Sequence, residues 1–132
     1  MAKSNKIMIQ VCLCGAGTKK DKAPTVPYTA DELAEQIVAC AKAGASIAHI
    51  HVREDKEVDG VMQIGYKSMS LQKFTEAVEK TRELCKKEGV DIIINLTTSG
   101  GEYEDYKRLQ HLSALKPEMC SFDPNALNWS NS

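Results

Sequence analysis

Two histidines separated by one residue, His49 and His51, carry the clearest chemical signal in the sequence. They lie in the apolar segment 46–52, whose pattern predicts a β-strand. Residues i and i+2 of a strand point to the same face about 6.6–7 Å apart, so both imidazoles can reach one metal ion. Histidine is a common ligand of zinc, and the pair therefore predicts a divalent metal site. The alternative is two separately hydrogen-bonded histidines, one of which lines a polar cavity.

A catalytic zinc site uses three protein ligands and an open position, so the histidine pair needs a third donor. No motif supplies one. The candidates are Cys14, Glu54, Asp55, His111 and Asp123. His111 falls in a predicted helix and is expected to lie far from the strand ends. Arg53 directly follows His51 and can orient the histidines together with its acidic neighbours, although charged loop residues are more often merely solvated.

Hydroxyl-bearing and glycine residues end two other predicted strands. The strand at 91–97 runs into Thr97, Thr98, Ser99 and Gly100. Ser121 has a similar place in the strand at 118–122. Hydroxyls and free backbone N–H groups clustered after a strand can hold a carboxylate or a polarised carbonyl. The alternative is an ordinary turn that leads from β-branched strand residues into a helix.

Apolar runs alternate with helical patterns along the chain. Strands are predicted at residues 7–14, 46–52, 91–97 and 118–122, the first of them buried on both faces. Helices are predicted from Thr29 to Gly44, from Ser70 to Gly89, and over residues 103–114. The charged segment 53–68 is predicted to be a long loop. This order predicts the α/β class, with a parallel sheet and right-handed crossovers.

Two architectures fit this order. One is an open, doubly wound sheet such as a small flavodoxin-like binding domain, and the other is half of a (β/α)8 barrel, whose usual size is about 250 residues. Residues 15–20 do not complete a G-x-G-x-x-G fingerprint because position 20 is Lys, and no Walker A motif is present. A flavodoxin-like sheet also needs a fifth strand, and the polar tail 124–132 is too short to supply it.

The composition is that of an ordinary globular protein, expected to form a single domain over residues 1–132. Seventeen basic and eighteen acidic residues give a net charge of −1, which argues against nucleic acid or an anionic membrane as a partner. No apolar run approaches the ~20 residues of a membrane span, and the N-terminus lacks signal-peptide features. Five cysteines, an odd number, predict reduced, buried thiols in the cytoplasm. Cys12 and Cys14 form a C-x-C for which a metal or redox role is a minor alternative.

Taken together, the motifs resemble those of the β-keto acid cleavage enzymes. The segments that carry the resemblance are GAGTK at 15–19, TADEL at 29–33, HIHVRED at 49–55, IINLTTSGG at 93–101, and KPEM at 116–119 with LNW at 127–129. Each segment alone is a weak signal. Five segments in register along nearly the whole chain are specific.

The resemblance implies four βα units forming the N-terminal half of a (β/α)8 barrel that binds Zn2+, usually within a homo-oligomer. It implies that His49 and His51 are zinc ligands. It further implies a reaction between a β-keto acid and acetyl-CoA that yields acetoacetate and a new CoA thioester. The catalytic residues expected from it are Arg53, Thr97 and Ser121, and the substrate-binding residues are Gly15, Thr98, Ser99 and Gly100.

The family's third zinc ligand is a Glu in the second half of the barrel, near an acidic residue and a catalytic Arg that these 132 residues also lack. Gly17 replaces a Glu with which one member binds a substrate amino group. Two hypotheses stay open: a half-barrel of such an enzyme, or a non-catalytic remnant or partner subunit. A lone half-barrel exposes sheet edges, so we expect a second chain to close it or two copies to dock.

Overall fold

The computed structural model describes residues 5–99 and 105–122 of the chain. In chain order the elements are β1 (Gln10–Cys12), α1 (Ala30–Lys42), β2 (Ile47–Ile50), β3 (Val52–Val58), β4 (Val61–Ser68), α2 (Leu71–Glu88), β5 (Ile93–Leu96), α3 (Asp105–Leu115) and β6 (Met119–Cys120). The helix predicted over residues 103–114 is therefore present from Asp105 onward, and residues 103–104 and the tail 124–132 lie outside the described ranges.

Four of the strands form one parallel sheet in the order β1-β2-β5-β6. Each strand lies beside the strand that precedes it in this series, and the order never reverses. A doubly wound sheet reverses its order at a switch point, whereas a barrel adds each strand on the same side. The flavodoxin-like alternative is therefore wrong, and the sheet is a segment of a barrel wall.

One face of this sheet carries the hydrophobic core. Ala48 and Ile50 of β2 and Ile94 of β5 are buried there against helix residues such as Ile37 and Phe74. Since side chains alternate along a strand, residues of the other parity face the opposite side. The register places Cys12, His49, Asn95 and Met119 in one row across that opposite face.

Capping residues start both long helices, as the sequence predicts. Thr29 accepts a hydrogen bond from the Glu32 backbone N–H, and the Glu32 carboxylate accepts one from the Thr29 N–H. The Ser70 hydroxyl caps α2 by accepting from the Lys73 N–H, and Gly89 ends the helix with a left-handed φ of 66°. These caps fix where the preceding loops enter the helices at the carboxyl ends of the strands.

The segment predicted to be a loop, residues 53–68, instead belongs to an antiparallel hairpin formed by β3 and β4. Asp59 and Gly60 make its turn, with φ values of 52° and 76°. An Asp-Gly pair with both φ values positive is typical of a tight hairpin turn. The charges of β3 obscured this signal in the sequence, because one side of the hairpin faces solvent and tolerates them.

The first strand differs from its prediction in length and burial. It spans only Gln10–Cys12, and Ile7, Met8 and Ile9 before it are exposed, Ile7 at 85%. The physical reason is its position at the edge of the described sheet: the Ile9 carbonyl still accepts from the backbone N–H groups of Ser46 and Ile47, but the side chains before β1 lack a covering layer among the described residues. The expectation of buried thiols is also wrong for Cys12 and Cys120, which are exposed.

Within the described ranges, no helix is both long and apolar enough to cross a membrane.

Candidate active site at the carboxyl ends of the strands

The two histidines converge at the carboxyl end of β2. His49 is the third residue of β2 and His51 follows the strand, so the period of two places both rings on the same side. Their Nε2 atoms lie 3.2 Å apart, and the rings meet edge to face with centroids 5.0 Å apart. The two ring nitrogens therefore lie close enough together to reach one ion, and metal binding by them stays a prediction.

Asn95 fixes the orientation of the first ring. Its Oδ1 lies 3.1 Å from His49 Nδ1, and its amide nitrogen donates to Gln10 Oε1. A proton on Nδ1 donated to Asn95 leaves His49 Nε2 with a free lone pair toward His51. The sequence alone did not identify Asn95, because its place opposite His49 is set by the strand register.

The environment keeps His51 uncharged near neutral pH. Burial, followed by the electrostatic effect of the neighbouring His49 and Arg53, lowers the pKa of His51 to about 4. A neutral imidazole is the form that binds a metal ion.

This donor set fits two positions of a zinc site. Two nitrogens bound at ~2.0–2.1 Å to a tetrahedral ion are about 3.3 Å apart, close to the separation in the protein. The distance also suits a hydrogen bond between the two rings. Over residues 5–99 and 105–122, no group of three or more His, Cys, Asp or Glu side chains converges to form a complete metal site.

The predicted hydroxyl residues also come together at this edge of the sheet. The Thr98 N–H donates to Ser121 Oγ at 2.9 Å, and Thr98 Oγ1 donates to the Ser121 carbonyl at 3.2 Å. The Thr97 hydroxyl donates to the Ser99 carbonyl and accepts from the Ser99 N–H, and these two bonds close a tight turn. The Ser121 hydroxyl proton is thereby left to donate to Thr98 Oγ1 or to a bound oxygen. Gly100 lies outside the described residues.

His111 does not lie far from the strand ends, as the sequence led us to expect. It is fully buried in α3, stacks on Phe74 at 4.0 Å, and its Nε2 lies 2.8 Å from the Thr97 carbonyl. Burial lowers the pKa of His111. Because Phe74 belongs to the helix-facing core, His111 supports the end of β5 from behind and does not share a face with His49.

The other candidates for a third ligand are engaged in structural contacts. Cys14 has turned out of the strand into the core, so it no longer shares a face with the exposed Cys12, and burial raises the pKa of its thiol. The Asp55 carboxylate accepts from the Gly65 N–H, and the Glu54 carboxylate accepts from the Ser68 hydroxyl. Asp123 lies outside the described residues.

Arg53 is placed as a bridge in the interior, at 4% exposure. Its guanidinium donates to the carbonyls of Cys14, Gly15, Thr18 and Gly65. The predicted substrate-binding residue Gly15 thus contributes its carbonyl to Arg53, and its left-handed φ of 57° favours a glycine. A cavity of about 400 Å³ lies beside Arg53 and is also lined by His51, Tyr28 and Cys14.

A parallel barrel wall that carries a histidine pair and clustered hydroxyls at the carboxyl ends of its strands is the arrangement of a (β/α)8-barrel enzyme site. The sequence model of one family, beta-keto acid cleavage enzyme, matches residues 6–132. The chain belongs to this family, as the motifs predicted.

The relatives include 3-keto-5-aminohexanoate cleavage enzyme from Fusobacterium nucleatum, 37% identical over 125 residues. That match covers 94% of this chain and 41% of the relative. A second relative is 3-dehydrocarnitine:acetyl-CoA trimethylamine transferase from Rhizobium meliloti, 26% identical over 98% of this chain and 46% of its own length. The chain therefore spans less than half of these relatives.

Solved structures agree on the fold. The apo structure of ObcA superposes with a TM-score of 0.59 at 25% identity, over 80% of this chain and 24% of ObcA. A ternary complex of ObcA with a C4-CoA adduct and oxalate has the same TM-score at 23% identity, over 80% of this chain and 25% of ObcA. The fold prediction is confirmed: the chain forms part of a (β/α)8 barrel.

Proposed function

We propose that this chain supplies the metal-binding half of a zinc-dependent β-keto acid cleavage enzyme. The complete enzyme would convert a β-keto acid and acetyl-CoA into acetoacetate and a new acyl-CoA. The observation that carries the proposal is the approach of His49 Nε2 to His51 Nε2 at 3.2 Å, at the carboxyl edge of a barrel sheet. The relatives support these reactants, since one is a 3-dehydrocarnitine:acetyl-CoA trimethylamine transferase and ObcA forms a complex with a C4-CoA adduct.

His49 and His51 would hold the ion, and Asn95 would keep the His49 lone pair directed at it. When bound, zinc would supply Lewis-acid polarisation of the keto and carboxylate oxygens of the substrate. The low pKa of His51 would keep this ligand available down to mildly acidic pH.

The hydroxyl residues would bind the substrate carboxylate or the reacting carbonyl. Ser121 Oγ already accepts from the Thr98 N–H, so its own proton is free to turn toward a substrate oxygen. The Thr97 hydroxyl is held in the turn to Ser99 and can donate to a ligand only by giving up that bond. Ser121 is therefore the stronger candidate for direct contact.

The site needs groups from outside these elements. Carbon–carbon bond chemistry requires a positioned base for proton abstraction, and catalytic zinc requires a third ligand. The family resemblance assigns the third ligand Glu, an acidic residue and an Arg to the second half of the barrel. We therefore propose that the sheet edges β1 and β6 pair with a second half-barrel, either further along the same polypeptide or on a partner.

A chimeric barrel tests this function. The chain would replace the matched first part of the Fusobacterium nucleatum relative, ahead of that relative's own second half. With acetyl-CoA and a panel of β-keto acids bearing neutral, anionic and cationic side chains, we expect acetoacetate release. Neutral or anionic substrates should be favoured, because Gly17 offers no carboxylate to a cationic one. The 132-residue chain alone should release none.

Matched variants of the chimera test the metal assignment. His51→Ala should remove bound zinc and lower kcat/KM by ~100-fold or more. Replacing a residue that only hydrogen-bonds a metal ligand already lowers metal affinity or activity about 10–100-fold, and loss of the ligand itself should cost at least as much. Lys42→Ala is the control, because Lys42 pairs with Glu88 on the helices and touches none of these residues. A folded chimera inactive on every substrate would contradict the catalytic proposal and favour the non-catalytic partner subunit. Unchanged zinc content in His51→Ala would contradict the ligand assignment.

A further inference from the structure

Arg53 is a buried cation that, among the described residues, has no carboxylate partner within salt-bridge distance. Its charge is satisfied by backbone carbonyls instead: Nη2 donates to Cys14 O at 3.0 Å and Thr18 O at 3.1 Å, and Nη1 to Gly65 O at 2.9 Å. Nε is shared between the Gly15 carbonyl at 3.0 Å and Cys14 Sγ at 3.2 Å. Burying a charge is costly unless it is hydrogen-bonded, and the planar fork of arginine lets one side chain reach four backbone carbonyls.

These bonds join two segments that are distant in sequence. One is the loop that leaves β1, residues 14–18, and the other is Gly65 in the second strand of the hairpin. Tyr28 closes the assembly, since its ring lies beneath the guanidinium with 5.4 Å from Cζ to the ring centroid. The Tyr28 hydroxyl in turn accepts from the Lys20 N–H at 3.0 Å. We call this set of contacts the arginine clamp.

The clamp sits directly behind the histidine pair. Arg53 follows His51 by two residues, and both residues line the same cavity. The hairpin starts at Val52, so the position of the hairpin and the direction of the His51 backbone are set together. A change that loosens the loop or the hairpin therefore also loosens His51.

From this geometry we propose that Arg53 is a positioning residue: it holds the His51 backbone and the loop after β1 in the arrangement that lets the two imidazoles share one ion. The inference rests on the proposed function, because it takes His51 to be a metal ligand. In this role Arg53 does not contact the substrate, because its guanidinium donates to backbone carbonyls.

The test compares Arg53→Lys with a second arginine that also bridges chain segments. Lysine keeps the charge but offers a single ammonium, which cannot reach both segments. Arg82→Lys is the matched control, because Arg82 donates to the Ile92 carbonyl and contacts Glu118 near the amino end of β5, away from the histidines. Both variants of the 132-residue chain would be titrated with Zn2+ against a chromophoric chelator.

We expect Arg53→Lys to weaken zinc binding about 10-fold or more, in line with the effect of losing a group that orients a metal ligand. Arg82→Lys should leave zinc affinity within about 2-fold of the original. If Arg53→Lys binds zinc like the original protein while His51→Ala does not, the positioning role is overturned. Equal weakening in Arg82→Lys would also overturn it, because general loss of stability would then account for the effect.

Proteolysis provides a readout that does not involve the metal. Lys19 and Lys20 follow the clamped loop, and trypsin should cut there faster in Arg53→Lys than in Arg82→Lys. If His51→Ala leaves zinc binding unchanged, the proposed metal site is wrong, and the arginine clamp is then tested by the cleavage rates alone. Equal rates of cleavage in Arg53→Lys and Arg82→Lys would overturn the clamp. If Arg53→Lys does not fold, Tyr28→Leu replaces it, with the same directions expected and smaller shifts.

Discussion

At the scale of single residues, His111 is a titratable group held where its charged form is unfavourable. It is fully buried, stacks on Phe74 and donates from Nε2 to the Thr97 carbonyl. Its Nδ1 has no hydrogen-bond partner among the described residues. Protonation would place a charge on that nitrogen inside the core, which is why burial lowers the pKa of His111.

This arrangement predicts a loss of stability in acid. Because the pKa of His111 is lower in the folded than in the unfolded chain, the unfolded chain binds more protons. The contribution is complete above the unfolded value of 6.5 and is lost as the pH falls below it toward the folded value. Urea unfolding at pH 7.5 and pH 5.0 should show a clear drop in the free energy of unfolding, and a smaller drop in His111→Gln.

The glutamine variant keeps a donor for the Thr97 carbonyl, so it isolates the titration from the lost hydrogen bond. Some acid sensitivity should persist in it, since the pKa of His51 is lowered in the same direction, to about 4. An equal drop in both proteins would contradict the assignment to His111.

At the scale of elements, the backbone of the hairpin packs so closely against Tyr28 at Gly65 that no side chain fits between them. Gly65 has a left-handed φ of 62°, and a Cβ at this position would lie 2.0 Å from Tyr28 Cε2. The Gly65 N–H donates to Asp55, and its carbonyl accepts from Arg53. The glycine therefore lets the β4 backbone lie flat against the tyrosine ring.

Gly65→Ala should destabilise the protein by about 2–5 kcal/mol, from backbone strain of ~1–2 kcal/mol and overpacking of ~1–3 kcal/mol. Gly60→Ala is the control, because Gly60 has a φ of 76° but nothing within 4 Å of its Cβ position. It should show the backbone strain alone. Thermal or urea unfolding measures both variants, and equal losses would show that the contact with Tyr28 does not matter.

At the scale of the whole molecule, nothing within residues 5–99 and 105–122 covers the two edges of the sheet or the apolar side chains near them. Ile7 is 85% exposed before β1, and Phe122 is 82% exposed after β6. Ile93 and Met119 are also exposed, on the side of the sheet that carries Asn95. Unpaired strand edges with apolar side chains favour association with another chain.

We therefore expect the isolated chain to self-associate in light scattering, with a mass above that of the monomer. Ile7→Lys should reduce this association, since a lysine on an edge discourages strand pairing. Val61→Lys is the matched control, because Val61 is 58% exposed but belongs to the turn end of the hairpin. A monodisperse monomer that unfolds cooperatively would contradict the incomplete-barrel interpretation.

The sequence was sufficient for the features that depend on local pattern. The capping box at Thr29, the N-cap at Ser70 and the convergence of His49 and His51 all follow from spacing along one helix or strand. The Asp-Gly pair at 59–60 is also a local signal for a hairpin turn, but the charges of β3 led to the prediction of a loop.

Tertiary structure alone decided which distant residues meet. Asn95 reaches His49, and His111 reaches Thr97, only because the strand register and the packing of α3 bring them together. Arg53 likewise looked like a charged loop residue or a catalytic one, until folding surrounded it with carbonyls from two remote segments. The physical reason is that pattern along the chain reports which face a side chain occupies, whereas its partners are fixed by how the elements pack.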